Sequence, residues 1–238
     1  MQALIEISDA SDLELRPSIV LSSALLGKGH PWAGKPLPHK LGNAPSIIRL
    51  LRVNGAQVQG LELYHPTGPA DPDGQCLQFD DCWGELQVDD CTFYANTIED
   101  PAVPNPRAED LLSVFNRKRR SGRVLVNNCT FYGKGLSLAF AAKSRSRVRR
   151  KVQSHTSICL DGPWCLPTTV QHCRIFWARV GLMIAGGSRH NAKLNAFIRC
   201  KHKVWAQSCY ERPIGPCELD DLDPDCPYLR KTAQSLPS

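Results

Sequence analysis

The sequence has no Cys-x-x-Cys pair, only two methionines, and no apolar run near the ~20 residues that a membrane-spanning helix needs. The first absence argues against a structural zinc site. The missing apolar run argues against a helical membrane span. A phosphate loop is excluded as well. The glycines of Gly27-Lys28-Gly29-His30-Pro31-Trp32-Ala33-Gly34-Lys35-Pro36 have no strand-GxxxxGK[ST]-helix context and read as a surface loop. A secretory leader is not expected, because Met1 to Asp9 carries acids where a leader carries bases, and the apolar stretch Ser18 to Gly27 is short and interrupted by Ser22 and Ser23. These features imply a cytoplasmic protein or an N-terminally incomplete secreted one.

What the chain does have is a repeat. Val126-Asn127-Asn128-Cys129-Thr130-Phe131-Tyr132 is nearly copied upstream as Val88-Asp89-Asp90-Cys91-Thr92-Phe93-Tyr94. Looser copies stand at Val170-Gln171-His172-Cys173-Arg174-Ile175-Phe176 and Val58-Gln59-Gly60-Leu61-Glu62-Leu63. The unit is a valine, two turn-formers, then residues pointing in, out and in. Side chains alternate across a strand, so Cys129 and Phe131 share one face and Thr130 takes the other. Asn, Asp and Gly tolerate left-handed backbone angles, and a two-residue corner of this kind bends the chain without closing a hairpin. Each strand must then pair with its counterpart one repeat later, and stacking supplies the core that a single repeat lacks.

This pattern resembles the right-handed parallel β-helix (pectin-lyase-like) superfamily, whose coils often carry a V-x-x-N-C-x-F-like signature. The resemblance covers roughly residues 47–205. It implies an all-β, single-stranded right-handed parallel β-helix solenoid with three short strands per coil and loop insertions. On this reading residues 1–210 form the helix and 211–238 a Pro-rich, acidic tail that is irregular or disordered. Insertions fall around 95–110 and 133–155. Cys91, Cys129 and Cys173 hold one place in the repeat and are expected to stack inward as a ladder of reduced thiols.

The coils carry candidate chemistry at their corners. Asp80, Asn116 and Asp161 align directly after the first strand of their coils, with Asp81 adjoining, and Asp80 and Asp161 are each followed at the third position by a tryptophan, Trp83 and Trp164. As functional residues, Asp80, Asp81 and Asp161 would supply acid, base or nucleophile, or ligate calcium, the one cofactor the carboxylates admit. Trp83 and Trp164 would supply stacking faces for sugar. As plain structure, the same aspartates are turn-formers. Arg174 replaces the outward threonines Thr92 and Thr130 and stands beside His172. It is a candidate base for elimination, with His172 a candidate substrate contact; the alternative is a surface arginine and a turn histidine.

Enzymes of the resembled superfamily place catalysis on paired aspartates or on a basic residue with calcium. The Gly-His-Gly and Arg-Ile-Lys motifs of the hydrolases and the Tyr-Gly-x-Asp-Pro-His motif of alginate epimerases are absent here. Between Arg107 and Lys151 there are 13 Lys and Arg against Glu109 and Asp110, an excess that would draw a polyanion. The expectation is therefore a β-helix protein that recognises, and in one reading cleaves as a lyase or glycoside hydrolase, an acidic polysaccharide. The alternative is a non-catalytic structural or interaction module. Nucleic acid is the lesser candidate partner, since Arg117-Lys118-Arg119-Arg120 lacks interleaved aromatics.

Overall fold

In the computed structural model the described residues are 3–16, 20–22, 46–64, 75–94, 110–133 and 156–228. The Gly/Pro loop at 27–45, most of both insertions and the basic stretch 143–151 lie outside them.

Three all-parallel sheets account for the strands, numbered β1 to β20 along the chain. The first sheet is β1 (Ala3–Ser8), β4 (Ser46–Leu51), β7 (Gln75–Asp80), β10 (Asp110–Phe115), β13 (Thr156–Asp161), β16 (Val180–Ile184) and β19 (His202–Ala206). The second is β2 (Ser11–Leu15), β5 (Asn54–Gln59), β8 (Trp83–Asp89), β11 (Gly122–Asn127), β14 (Thr168–Gln171), β17 (Asn191–Lys193) and β20 (Glu218–Leu219). The third is β3 (Val20–Ser22), β6 (Glu62–Tyr64), β9 (Thr92–Tyr94), β12 (Thr130–Tyr132), β15 (Arg174–Phe176) and β18 (Ala196–Ile198). Neighbours within each sheet are successive visits of the chain, the topology of a parallel β solenoid.

The corners follow from local sequence. Asp90, Asn128 and His172, between the second and third sheets, adopt φ of 54°, 50° and 55°. The next residue in each case, Cys91, Cys129 or Cys173, is 1% exposed. The left-handed residue turns the chain and aims its successor inward. The same device stands between the first and second sheets, where Arg52 and Asp81 (φ 55° and 53°) precede fully buried Val53 and Cys82. Cys129 Sγ donates to the Val88 carbonyl of the preceding turn at 3.4 Å and Cys173 Sγ to Val126 at 3.8 Å. Phe93 and Phe131, both fully buried, stack at 4.6 Å between ring centres. Outside, Tyr94, Tyr132 and Phe176 stack along the third sheet at 5.0 and 5.1 Å, the spacing that strand pairing imposes.

Residues 211–228, read from sequence as the start of an irregular tail, are largely irregular but contribute the two-residue β20, which pairs with β17, and a bridge from Leu222 to Val204. Leu219, Leu222 and Tyr228 pack on the core, and Cys226 is fully buried. The prolines limit regular strand, yet these few apolar side chains suffice to cover β19.

Candidate functional site

The corner between the first and second sheets collects most of the predicted residues. After Phe115 the chain detours through Asn116 to Ser121 before β11. Asn116 is fully buried, and its side-chain amide donates to the Cys82 carbonyl at 2.7 Å. At the far end of the detour Gly122 has φ 138°, and a Cβ there would lie 2.2 Å from the Gly84 carbonyl oxygen. Only glycine lets the two backbones approach so closely.

Asp81 holds the start of this loop, its Oδ1 accepting the Arg117 amide at 2.7 Å and the Lys118 amide at 3.3 Å. Arginines of the loop then settle on rings. Arg117 lies 5.1 Å from the Phe115 ring centre and Arg120 4.5 Å from that of Trp83. Arg119 lies 5.7 Å from the Trp164 ring centre, and Arg212 joins the same indole from a distant part of the chain at 3.8 Å. The two predicted indoles thus contact one short loop. Arg117, Lys118, Arg119 and Arg212 are exposed, so the corner presents a fixed set of cations to solvent.

The carboxylates are each engaged within the chain. Asp80 is 2% exposed and ion-paired with Arg49, which also reaches Glu6 at 3.0 Å. Arg117 stands 3.9 Å from the same Asp80 oxygen, while Asp80 Oδ1 has no hydrogen-bond partner among the described residues. Asp161 Oδ1 accepts the Gly162 amide at 2.7 Å and the Tyr210 hydroxyl at 2.5 Å. Burial and then this carboxylate push the Tyr210 hydroxyl pKa well up from its ordinary value. Asp80 and Asp161 are both in register with Phe115, so β10 separates them and their Cα atoms lie about two strand spacings, ~10 Å, apart. The sequence alignment that set Asn116 level with them is off by one residue, because the detour begins only after Phe115.

His172 and Arg174 stand elsewhere, at the corner between the second and third sheets. Both are exposed, and they line a shallow groove of about 520 Å³ with Asn127, Asn128, Leu194 and Ala196. The structure therefore divides the predicted site residues between two places. Among the described residues no group of three or more His, Cys, Asp or Glu is placed to hold a metal ion.

Sequence reasoning missed Tyr210 and Arg212. They lie 49 and 48 positions beyond Asp161 and Trp164, in a stretch with no copy of the repeat, and nothing local to them marks their partners. No protein-family model matches the chain, and no curated protein or solved structure does so either.

Proposed function

We propose that this chain is a right-handed, pectin-lyase-like parallel β-helix with three strands per coil and an inward ladder of Cys91, Cys129 and Cys173, and that it recognises an acidic polysaccharide along its outer face. The observation that carries the functional reading is the seating of Arg119 and Arg212 on Trp164 and of Arg120 on Trp83. A guanidinium is weakly hydrated, always charged and shaped to pair bidentately with a carboxylate or sulfate. Holding it on an indole removes part of the freedom it would lose on binding. In this reading Trp83 and Trp164 are platforms for arginines rather than faces for sugar rings, and Asp81 and Asp161 hold the platform in place.

Recognition is favoured over cleavage because Asp80, Asp81 and Asp161 already accept hydrogen bonds or ion pairs from the chain itself. One observation favours cleavage: the Tyr210 hydroxyl donates to the Asp161 carboxylate at 2.5 Å, in the same stretch of chain as Arg212. Titration calorimetry with pectate, alginate and a glycosaminoglycan across a salt series, with duplex DNA as a further arm, tests the proposal. Expected are glycan binding that weakens as salt rises and its loss in the Arg119→Ala/Arg212→Ala double variant. Absence of binding to every glycan overturns it, and tighter binding of DNA transfers the cluster to nucleic acid. Unsaturated products by absorbance, or new reducing ends, would establish cleavage.

A further inference from the structure

We propose that Ser121 is a phosphorylation site for a protein kinase that selects basic residues on the amino-terminal side of its serine, and that the phosphate switches off the polyanion-binding arginines around it. The switch rests on the acidic-polysaccharide reading; the site does not. Ser121 closes the detour between β10 and β11 and directly follows Arg117-Lys118-Arg119-Arg120, so each of the four preceding positions is a cation. Among the described residues the exposed serines are Ser8, Ser11 and Ser121, and the first two stand among Glu6, Asp9 and Asp12. Ser113 and Ser157 are buried, and Ser188 and Ser208 are half-buried. Ser144, Ser146 and Ser154 also follow bases but lie outside the described residues. Of the described serines, Ser121 is the one that combines exposure with a basic amino-terminal flank.

A kinase takes a serine on an accessible stretch of main chain and reads the charges beside it. Asp81 fixes the Arg117 and Lys118 amides, and the Ser121 carbonyl accepts the Gly84 amide at 2.9 Å. Between these anchors the Arg119, Arg120 and Ser121 amides make no backbone hydrogen bond among the described residues. The next strand begins only at Gly122, so the segment can enter a cleft without breaking a sheet ladder. Lifting Arg119 from Trp164 and Arg120 from Trp83 gives up two partly exposed cation–π contacts, which acidic groups of a kinase replace. In the transfer a bond forms between the γ-phosphorus of ATP and Ser121 Oγ, and the bond from that phosphorus to the bridging oxygen breaks. ADP leaves, and the hydroxyl proton passes to the catalytic aspartate of the kinase.

Phosphoserine brings roughly −1.5 to −2 charges at pH 7 and three strong acceptor oxygens. It stands in the loop of Arg117, Lys118, Arg119 and Arg120, and Arg212 shares the Trp164 indole with Arg119. Arg120 Nε is buried with no hydrogen-bond partner among the described residues, so the loop already holds a donor that the unmodified fold leaves unused. A phosphate tethered there competes for the same guanidiniums at high effective concentration with a polyanion arriving from solution. Its charge also offsets part of the attraction that draws the polyanion in.

The experiment incubates the full folded chain with ATP and the catalytic subunit of the cyclic-AMP-dependent kinase, with an acid-selecting kinase as control, and maps phosphate by mass spectrometry. The first kinase reads cations two and three positions before its serine, here Arg119 and Lys118. Ser121 should be modified by it and not by the control. Phosphorylation there should lower pectate affinity at least tenfold at low salt, with the gap narrowing as salt rises. Ser121→Ala should bind pectate as the unmodified chain does and keep most of that affinity after kinase treatment, when other serines can still react. Ser121→Glu should lower affinity severalfold. A folded wild type that takes no phosphate on Ser121 overturns the site and leaves the glycan reading standing. Equal pectate binding with and without that phosphate overturns the switch. Phosphate on Ser121 of a chain that binds no pectate, alginate or glycosaminoglycan upholds the site and overturns the glycan reading.

Discussion

The Arg212 guanidinium carbon lies 3.8 Å from the centre of the Trp164 ring, although 47 residues separate the two in sequence. This contact ties the C-terminal region to the loop that carries Arg119. Trp164→Ala should release both arginines and weaken polyanion binding about fivefold to thirtyfold, since two partly exposed cation–π contacts contribute ~0.5–1 kcal/mol each. Trp164→Phe should recover part of the loss. Calorimetry at fixed salt checks this, and an unchanged affinity in Trp164→Ala would show that the indole does not position the cations.

Asp80 and Arg49 form an almost fully buried ion pair, with side chains 2% and 10% exposed. Removing Asp80 takes the buried counter-charge from Arg49 and leaves it the partly exposed Glu6. Asp80→Ala should therefore cost roughly 3–5 kcal/mol, while the paired change Asp80→Leu/Arg49→Met should recover most of it. Urea unfolding of both variants decides. A mild Asp80→Ala would indicate a carboxylate that the fold does not need, which would favour a catalytic role.

His190 is 1% exposed, and burial pushes its pKa down to about 4 from an ordinary 6.5. The unfolded chain then binds a proton that the folded one refuses. Stability should be fully present above pH ~6.5 and fall as pH drops toward ~4, by roughly 3 kcal/mol in all. His190→Gln should flatten this part of the profile, read from urea midpoints between pH 4 and 7. An unaltered slope would assign the acid sensitivity to other groups.

Gly122 and Gly60 both have positive φ, 138° and 66°, but in different surroundings. Gly122→Ala drives a Cβ to within 2.2 Å of the Gly84 carbonyl oxygen and should cost roughly 3 kcal/mol. Gly60→Asn should be nearly neutral, because Asp90 and Asn128 already occupy the same corner one and two turns along. Thermal unfolding of the pair distinguishes close backbone approach from a general glycine effect.

Cys129 is 1% exposed, its thiol donates to the Val88 carbonyl at 3.4 Å, and the neighbouring Cys173 and then burial push its pKa well up. Cys129→Asp buries a carboxylate without a cation and should cost roughly 4 kcal/mol. Cys129→Val keeps the volume and should cost less than about 1.5 kcal/mol. Equal tolerance of the two would contradict an inward thiol.

Much of the fold was legible because it is written locally and repeatedly. Asp90-Cys91, Asn128-Cys129 and His172-Cys173 each specify a left-handed corner followed by an inward residue, and both consequences depend only on neighbours in the chain. The parity that buried Phe93 and Phe131 and left Thr92 and Thr130 outside is likewise a property of one strand. Alternation together with non-pairing corners sufficed to require parallel stacking.

The candidate site was legible only in its members. Asp80, Trp83, Asp161 and Trp164 could be picked out by recurrence, but recurrence carries no information about what faces them. That Asp80 meets Arg49, that Asp161 meets Tyr210, and that both indoles meet arginines depends on contacts across 31 to 49 positions. Likewise, His172 and Arg174 gained a groove only when Leu194 and Ala196 stacked on the next turn. The sequence by itself determined corners, strand parity and repeat, because those are decided by backbone sterics and side-chain alternation within a few residues. The tertiary structure alone decided which charges are neutralised and which face solvent, because that depends on the residue that stacking places one turn above or below.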